Sequence, residues 1–149
     1  MIEINGMAHV VMTVSEWDKC RAFYAALLPF IGMERMFDGD EFVYYVGGRT
    51  ALGLQRCAER DANRRFVQGE LGFHHLCFRC RSREDVDAVH GLVTQHGVAI
   101  IRAPEESGWA KGHYSLLFED PAGMRIEFNF VPGKGLFEEG ARFSPTGYR

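Results

Sequence analysis

Two histidines occupy the same position in two similar stretches of the sequence. Residues 7–14 read MAHVVMTV and residues 73–80 read FHHLCFRC, and the third residue of each stretch is a histidine, His9 and His75. The two are 66 positions apart, and both stretches have the pattern of a β-strand. Neutral imidazole is a common ligand of divalent metals, so histidines at equivalent places indicate a shared metal site. For either histidine alone, an ordinary core or rim position is the alternative.

A third candidate ligand, Glu127, follows a strong turn signal. Residues 120–123 read DPAG, in which aspartate opens a turn, proline presets the next φ and glycine accepts a conformation that a β-carbon disfavours. Glu127 then stands between two large apolar residues, where a carboxylate is costly unless it faces water or a cation. Two imidazoles and one carboxylate form a facial site with positions left open for substrate or water. The sequence therefore predicts that His9, His75 and Glu127 bind one divalent ion, without choosing among Zn, Ni, Mn, Mg and Fe.

Each histidine stretch is followed by the pattern of one amphipathic helix. Ser15 and Ser82 both stand three residues before an aspartate, which predicts a serine cap on the first helical turn. Gly32 and Gly97 predict the helix ends. The serines are 67 positions apart and the glycines 65, close to the offset of the histidines. The sequence thus contains an internal repeat, with helices expected over residues 16–28 and 83–96.

Three strand signals follow each helix. The expected strands cover residues 33–37, 41–46, 50–56, 98–102, 113–119 and 124–131. The predicted fold is therefore α+β, with two βαβββ modules whose mixed sheets enclose a cup. We expect a single domain over residues 1–149, made of module one (5–56), a linker (57–70), module two (71–132) and a C-terminal tail (133–149).

Strand alternation decides which side chains face the cup. The more apolar face of each strand should pack on its module's helix, which leaves His9, His75 and Glu127 on the opposite faces. If the two sheets curve toward each other, these three groups converge. His74 should then point away from His75 and have a structural role. Further candidates for the pocket lining are Thr13, Tyr44, Arg79, Trp109, His113 and Tyr114, with core packing (or, for Arg79, a rim salt bridge) as the alternative.

The end of the second module resembles a known family. Residues 118–128 read FEDPAGMRIEF and resemble the D-P-x-G-x-x-I-E run of the vicinal oxygen chelate superfamily, which contains glyoxalase I, extradiol dioxygenases, and fosfomycin- and bleomycin-resistance proteins. Residues 72–78, GFHHLCF, resemble the histidine strand of that family. The resemblance covers residues 7–131. It implies that Glu127 is a metal ligand and could also accept a proton during catalysis.

The resemblance leaves a fourth ligand position open. Many metal-binding members place Glu or Gln late in the first module, where this sequence reads ALGLQ over residues 51–55. Aligned by its hydrophobic pair, Gly53 matches Glu127 and the ligand is missing. Shifted by two residues, Gln55 matches, and an amide oxygen is an accepted ligand in the glyoxalase branch. We predict that Gln55 approaches the metal, with an ordinary surface glutamine as the alternative.

The function that the resemblance implies is a metal-dependent enzyme of the glyoxalase or dioxygenase type. Its small-molecule substrate would chelate the ion through two adjacent oxygens and undergo isomerase, lyase or ring-cleavage chemistry. The alternative is a metal-free protein that sequesters a ligand, as bleomycin-resistance relatives do. The resemblance also implies a homodimer, and it leaves open whether modules pair within a chain or across chains.

Composition excludes other classes of function. The net charge of −3 has the wrong sign for nucleic-acid binding, and no apolar run approaches the roughly 20 residues that cross a bilayer. The first residues lack the basic region of a signal peptide, which predicts a cytoplasmic protein. Cys77 and Cys80 spell C-x-x-C, but residues three apart on a strand point to opposite faces, so we interpret them as reduced packing residues.

Overall fold

The structure is a computed structural model that describes residues 2–140, and it divides into two compact units with the boundary between Phe66 and Val67. Unit 1 contains β1 (Val10–Val14), α1 (Trp17–Phe30), β2 (Glu34–Asp38), β3 (Phe42–Gly47) and β4 (Thr50–Arg56). Unit 2 contains β5 (Leu76–Arg79), α2 (Arg83–Gln95), β6 (Ile100–Glu106), β7 (Tyr114–Glu119) and β8 (Arg125–Phe130). Residues 141–149 of the predicted tail lie outside the described residues.

The two units share one topology. The sheet of unit 1 has the order β1-β4-β3-β2, and the sheet of unit 2 has the order β5-β8-β7-β6. In each sheet the first strand pairs in parallel with the last, and the remaining neighbours are antiparallel. The prediction of two βαβββ modules with mixed sheets is confirmed. No helix among residues 2–140 has the length and apolar character needed to cross a membrane.

One face of each sheet is buried beneath the helix of its own unit. In unit 1 the side chains of Met12 and Val14 are buried, whereas those of Val11 and Thr13 are exposed. In unit 2 the buried residues of the helix and the last strand form one apolar core, which includes Val86, Val89, Val93, Ile126 and Phe128. This is the alternation expected from the sequence, because successive strand residues point to opposite faces. It leaves the second face of each sheet for the candidate site residues.

The two helices begin differently. Ser82 accepts a hydrogen bond from the Asp85 amide at 3.1 Å, and the Asp85 carboxylate accepts one from the Ser82 amide at 3.0 Å, so the predicted serine cap of α2 is confirmed. The predicted cap at Ser15 is wrong. The chain enters α1 through Glu16, which has a left-handed φ of 48° and no side-chain cap, and whose amide donates to Ala62 O at 2.9 Å. That conformation replaces the extended one that a serine cap requires.

This difference gives a stability prediction. Replacing Ser82 with alanine removes the acceptor for the first-turn amide, and we expect the free energy of unfolding to fall by about 1 kcal/mol. Ser15→Ala is the matched control and should cost clearly less, because Ser15 caps no helix. Urea denaturation followed by circular dichroism measures both. Equal losses would contradict the assigned roles of the two serines.

Candidate functional site

Unit 2 contains a cavity of about 640 Å³ on the face of its sheet that α2 does not cover. Its walls come from β5, β8, the loop before β7 and the segment after β8, and its lining residues are His74, His75, Cys77, Arg79, Trp109, Ala110, His113, Glu127, Asn129, Val131, Lys134, Gly135, Leu136 and Phe137. This volume is within the usual range for a small-molecule site. The cavity therefore collects most of the unit 2 residues that the sequence singled out.

Strand register explains how the polar residues come together. Cys77 pairs with Glu127 across β5 and β8, Glu127 pairs with Leu117 across β8 and β7, and Leu117 pairs with Arg102 across β7 and β6. Paired residues of neighbouring strands point to the same face of a sheet. These four side chains thus form a row across the sheet, with Glu127 near its centre.

Glu127 is the most buried charged residue of the cavity, with 1% of its surface exposed. Oε2 lies 3.3 Å from His75 Nε2, and Oε1 lies 3.7 Å from His113 Nε2 and 3.9 Å from Arg102 Nη2. A buried carboxylate needs donors or positive charge around it to offset its lost hydration. Two imidazoles and one guanidinium provide that environment here, and they direct the carboxylate toward His75.

Sequence reasoning missed Arg102. The register of β6 shifts between Ile100 and Arg102, so one extra residue of β6 opposes β7 at this point. The bulge moves Arg102 to the opposite face from Ile100, although strict alternation would put both on the same face. Arg102 Nη2 then donates to Ser115 Oγ at 3.0 Å, which orients the guanidinium beside Glu127. Pro104 in the same strand is typical of an edge strand or a bulge, but it does not indicate where the register shifts.

His113 is fixed at a wall of the cavity by the loop before β7. Its Nδ1 lies 2.7 Å from Ser107 Oγ, and its ring is buried. Burial lowers the pKa of His113, and the positive charges of Arg102 and Arg79 act in the same direction, although Glu127 opposes them. The ring is therefore neutral near pH 7, and Ser107 holds it in place beside the carboxylate.

His74 is a correction to the sequence interpretation. It does not point away from His75, because both side chains line the cavity and their Nδ1 atoms lie 2.7 Å apart, in hydrogen-bonding contact. The reason is that β5 begins only at Leu76, so the two preceding histidines do not follow strand alternation. Burial lowers the pKa of His74, with a further contribution from His75, which keeps the ring neutral. His74 is thus a direct partner of the predicted ligand.

The remaining pocket candidates of unit 2 are divided between two places. Arg79 and Trp109 line the cavity, and their contact with a substrate stays a prediction. Tyr114 does not, because its hydroxyl donates to Asp87 of α2 at 2.8 Å and its ring lies beneath the guanidinium of Arg83, 5.0 Å from the ring centre. Tyr114 therefore belongs to the helix-packed side of the sheet, and its predicted place in the pocket is not supported.

The two cysteines near the cavity are poor nucleophiles. Burial and the Glu127 carboxylate raise the pKa of Cys77 far above that of an ordinary thiol, and burial raises the pKa of Cys80 to about 11. Both are therefore protonated at neutral pH, and a protonated thiol neither attacks a substrate nor supports rapid redox exchange. This agrees with the sequence interpretation that C-x-x-C is not a redox pair, but Cys77 is exposed and lines the cavity, so it is not a packing residue.

The candidates of unit 1 lie on the exposed face of its own sheet. His9 immediately precedes β1, and its ring centre lies 6.5 Å from that of Tyr44 in an edge-to-face arrangement. Thr13 is exposed on the same strand and pairs with Gln55 of β4. His9 and Thr13 thus lie on the face expected from strand alternation, and Tyr44 shares that face because it pairs with Gly53, which pairs with Val11. Their part in a metal or substrate site stays a prediction.

Strand register also bears on the fourth ligand position. Val11 pairs with Gly53 in unit 1, and Cys77, its counterpart 66 residues later, pairs with Glu127 in unit 2. Gly53 is therefore the structural counterpart of Glu127. A β-carbon there would lie 3.0 Å from the ring of Phe42 and 3.1 Å from Val11, so aromatic packing occupies the space of a ligand side chain.

Gln55, the other candidate for the fourth ligand, is held at the edge of β4. Its Nε2 donates to Glu41 O at 3.0 Å and lies 3.4 Å from Arg56 O. The amide nitrogen is therefore engaged with backbone carbonyls, which leaves the amide oxygen as the atom that could act as a ligand. A role for Gln55 in metal binding stays a prediction.

The unit 2 site provides two adjacent metal-type donors, His75 and Glu127. The part of the chain that the structure describes contains no ready group of three or more His, Cys, Asp or Glu side chains in a metal-binding arrangement. Imidazole nitrogen and carboxylate oxygen nevertheless fit a divalent ion such as Zn, Fe or Mn. His75 and Glu127 are two of the three ligands predicted from the sequence, and their metal binding stays a prediction.

Comparison with known proteins places the fold in one family. One similar crystal structure is that of a Bacillus halodurans protein provisionally described as a glyoxalase, with 25% identity, a TM-score of 0.75 and coverage of 85% of this chain and 96% of that chain. The lactoylglutathione lyase of Agrobacterium tumefaciens has 19% identity and a TM-score of 0.61, and the match covers 85% of this chain and 94% of that chain. A fosfomycin resistance protein of Mesorhizobium loti has 14% identity and a TM-score of 0.61, and the match covers 87% of this chain and 94% of that chain. No curated protein matches the chain. The sequence model of the Glyoxalase/Bleomycin resistance protein/Dioxygenase superfamily matches residues 6–128, and this chain therefore belongs to that superfamily.

Proposed function

We propose that this protein is a metal-dependent enzyme whose small substrate chelates one divalent ion through two adjacent oxygen atoms. The reaction would be an isomerisation, a lyase reaction or a ring cleavage. The observation that carries the proposal is the contact of 3.3 Å between His75 Nε2 and Glu127 Oε2 in the unit 2 cavity. Both residues are of the type that holds catalytic metals.

In this proposal His75 and Glu127 hold the ion from unit 2, and His9 and Gln55 are the ligands predicted from unit 1. A bound divalent ion supplies Lewis-acid stabilisation of negative charge on substrate oxygens. Which of Zn, Ni, Mn, Mg or Fe it is remains for experiment.

The protein's own residues have separate tasks around the substrate. The Glu127 carboxylate can accept a proton from the substrate, and His75 Nε2, His113 Nε2 and Arg102 Nη2 lie 3.3–3.9 Å from its oxygen atoms. Trp109 and the apolar part of the cavity offer a surface for the apolar part of a substrate. The neutral His113 ring, held by Ser107, lies 3.7 Å from Glu127 Oε1, the carboxylate oxygen that does not contact His75.

One observation favours a second function, that of a metal-free protein that binds and sequesters a small molecule. Arg102 Nη2 lies 3.9 Å from Glu127 Oε1, so an internal cation already compensates part of the carboxylate charge. A cation in this position competes with a metal for the same oxygen atoms. The cavity would then serve as a ligand-binding site without chemistry.

Elemental analysis of purified protein separates the two functions. We expect about one divalent ion per chain after loading at neutral pH, and a higher melting temperature in the loaded protein because the ion binds the folded state. His75→Ala should lose both effects. His90→Ala, which removes an imidazole from α2, is the matched control and should keep both. Wild-type protein that takes up no metal under any loading condition would leave the ligand-binding function as the better description.

The contact between the two neighbouring histidines gives a second prediction. Replacing His74 with alanine removes the hydrogen-bonding partner of His75 Nδ1, so the ring loses its fixed orientation and metal affinity should fall about 10- to 100-fold. Asparagine at position 74 can restore a hydrogen bond at this place and should recover most of the affinity. Isothermal titration with Zn²⁺ measures both variants. An unchanged affinity in His74→Ala would mean that the ring orientation of His75 is set elsewhere.

The homodimer expected from the family resemblance and the cytoplasmic location expected from the first residues of the sequence belong to the same proposal. A dimer matters for the site because the modules could pair across chains, in which case ligands would come from two copies. Sedimentation at micromolar concentration tests the dimer, and a monomer there would contradict it.

A further inference from the structure

The charge distribution of the unit 2 cavity is uneven. Glu127 is the carboxylate of its lining, and it already has His75, His113 and Arg102 as close neighbours. Two further cationic side chains, Arg79 and Lys134, line the same cavity. The cavity therefore offers positive charge beyond what its own carboxylate balances.

Neither of these two cations has an ion-pair partner among residues 2–140. The Arg79 side chain donates a hydrogen bond from Nη2 to Val131 O at 3.2 Å, and a carbonyl neutralises no charge. The rim salt bridge that the sequence suggested for Arg79 is therefore not found in the described part of the chain. A guanidinium without a carboxylate partner is well suited to bind an anionic ligand.

The local backbone fixes the guanidinium of Arg79. Its Nη2 is held by Val131 O and lies 3.3 Å from the place where a β-carbon on Gly135 would stand. A larger residue at position 135 would crowd the guanidinium, so the glycine, at φ 60°, allows this close approach. One edge of Arg79 is thereby anchored to the segment after β8, and the remaining N–H groups can form the two-pronged contact that a carboxylate accepts.

The backbone around Lys134 argues against a phosphate group. Phosphate sites usually employ several backbone N–H groups pointing at the ligand. Here the Lys134 amide donates to the Glu138 carboxylate at 2.6 Å, so the protein's own acid occupies that amide. The anion site is left with side-chain cations, which suit a singly charged planar carboxylate.

Several other residues of the lining are apolar. Trp109, Val131, Leu136 and Phe137 face the same cavity, and Leu136 and Phe137 are 51% and 91% exposed. Covering exposed apolar side chains with a ligand is favourable, because it removes apolar surface from water. The ligand that suits these walls has an apolar or aromatic body as well as a charged end.

We propose that the unit 2 cavity binds a small carboxylate with an apolar or aromatic body, with the carboxylate on Arg79 and Lys134 and the body against Trp109, Leu136 and Phe137. The proposal rests on the proposed function, since it names the substrate class of the same cavity. It makes Arg79 the residue that selects charged over neutral ligands.

The test uses metal-stripped full-length protein, so that it does not depend on metal binding. Phenylacetate is titrated against the fluorescence of Trp109, with phenylacetamide as a neutral probe of the same shape. The other tryptophan, Trp17, is buried in unit 1 and gives a constant background. We expect a Kd below about 1 mM for phenylacetate and binding at least about tenfold tighter than that of phenylacetamide.

The variants locate the anion site. Arg79→Gln should remove the preference for phenylacetate, whereas Arg83→Gln, which removes a guanidinium paired with Glu106 beside α2, should keep it. Arg79→Lys keeps the charge without the planar fork and should bind phenylacetate more weakly than wild type, which preserves the test if the glutamine variant does not fold. Added NaCl should reduce the preference in wild-type protein.

Three outcomes would overturn the proposal. They are equal binding of the two probes, an undiminished preference in folded Arg79→Gln, and tighter binding of phenyl phosphate than of phenylacetate by tenfold or more. The metal measurements are separate from these outcomes. Protein that binds phenylacetate through Arg79 but binds no metal supports this inference and contradicts the proposed enzyme. Protein that binds metal but shows no preference for phenylacetate supports the proposed enzyme and contradicts this inference.

Discussion

Glu127→Gln should reduce the affinity for divalent metal by at least about 100-fold, which is beyond the effect of losing an outer hydrogen bond. Glutamine has the same size as glutamate, so the change removes the negative charge and leaves the packing between β5 and β8 intact. The charge matters because the carboxylate is buried and because Arg102 and two imidazoles already lie beside its oxygen atoms. A neutral amide in that place cannot offset both a guanidinium and a divalent ion. Isothermal titration with Zn²⁺, Ni²⁺ and Mn²⁺ measures the loss.

The control for this variant is Glu106→Gln. Glu106 lies on the same sheet but pairs with Arg83 near α2 and lines no part of the cavity. The Glu106→Gln variant should therefore bind metal with the affinity of the wild-type protein. If Glu127→Gln also binds as wild type does, Glu127 is not a ligand. In that case the contact between His75 and Glu127 is an internal ion pair of a ligand-binding protein.

Acidification provides an independent check on the same site. Imidazole and carboxylate must both be deprotonated to bind a metal, so affinity should fall as the pH drops through the range in which histidine takes up a proton. The sign is unambiguous for the ligands, because protons and metal compete for the same atoms. An affinity that stays constant between pH 7.5 and about 5.5 would exclude histidine from the ligand set.

The regular parts of this fold could be predicted from sequence because they depend on short-range rules. The capping box of Ser82 and Asp85 needs residues three positions apart, and the burial of Ile126 and Phe128 needs the two-residue period of a strand. Both signals come from residues close together in the sequence and do not depend on tertiary contacts. The repeat of 66 residues then gave the second module from the first.

The irregular parts could not be predicted, and they are the parts that complete the site. Arg102 reaches Glu127 through a bulge that strand alternation does not foresee. His74 contacts His75 because both precede β5, which begins at Leu76. The sequence pattern had predicted that the strand already includes both histidines. Ser15 fails as a cap because Glu16 adopts a left-handed conformation. In each case one backbone dihedral or one extra residue changes the direction of a side chain without a marked change in residue pattern.

The fourth ligand position shows how register adds to sequence. The sequence allowed either Gly53 or Gln55 to correspond to Glu127. Pairing with β1 makes Gly53 the counterpart, and the Phe42 ring covers it. The two units have therefore kept one topology while their corresponding positions diverged, with a carboxylate in unit 2 and an aromatic contact in unit 1.

The largest effect on stability should come from the core beneath the site. Phe128 neighbours Glu127 on β8 but points to the opposite face, where it is 1% exposed and its ring centre lies 5.0 Å from that of Phe78 and 6.1 Å from that of Phe118. Phe128→Ala would leave a cavity between these rings, and we expect the free energy of unfolding of unit 2 to fall by about 3–5 kcal/mol. Chemical denaturation measures this loss, with separate transitions fitted if the two units unfold independently.

The matched control for Phe128 is Phe137→Ala, in the same unit. Phe137 is exposed, so its removal should change stability by no more than about 0.5 kcal/mol. Phe137→Ala should weaken ligand binding more than Phe128→Ala does, because Phe137 lines the cavity whereas Phe128 lies on the other face of β8. Folded Phe128→Ala should keep part of its affinity for phenylacetate, since Arg79 and Trp109 remain. Equal loss of stability in the two variants would contradict the assignment of the two faces of β8, on which the position of Glu127 in the cavity depends.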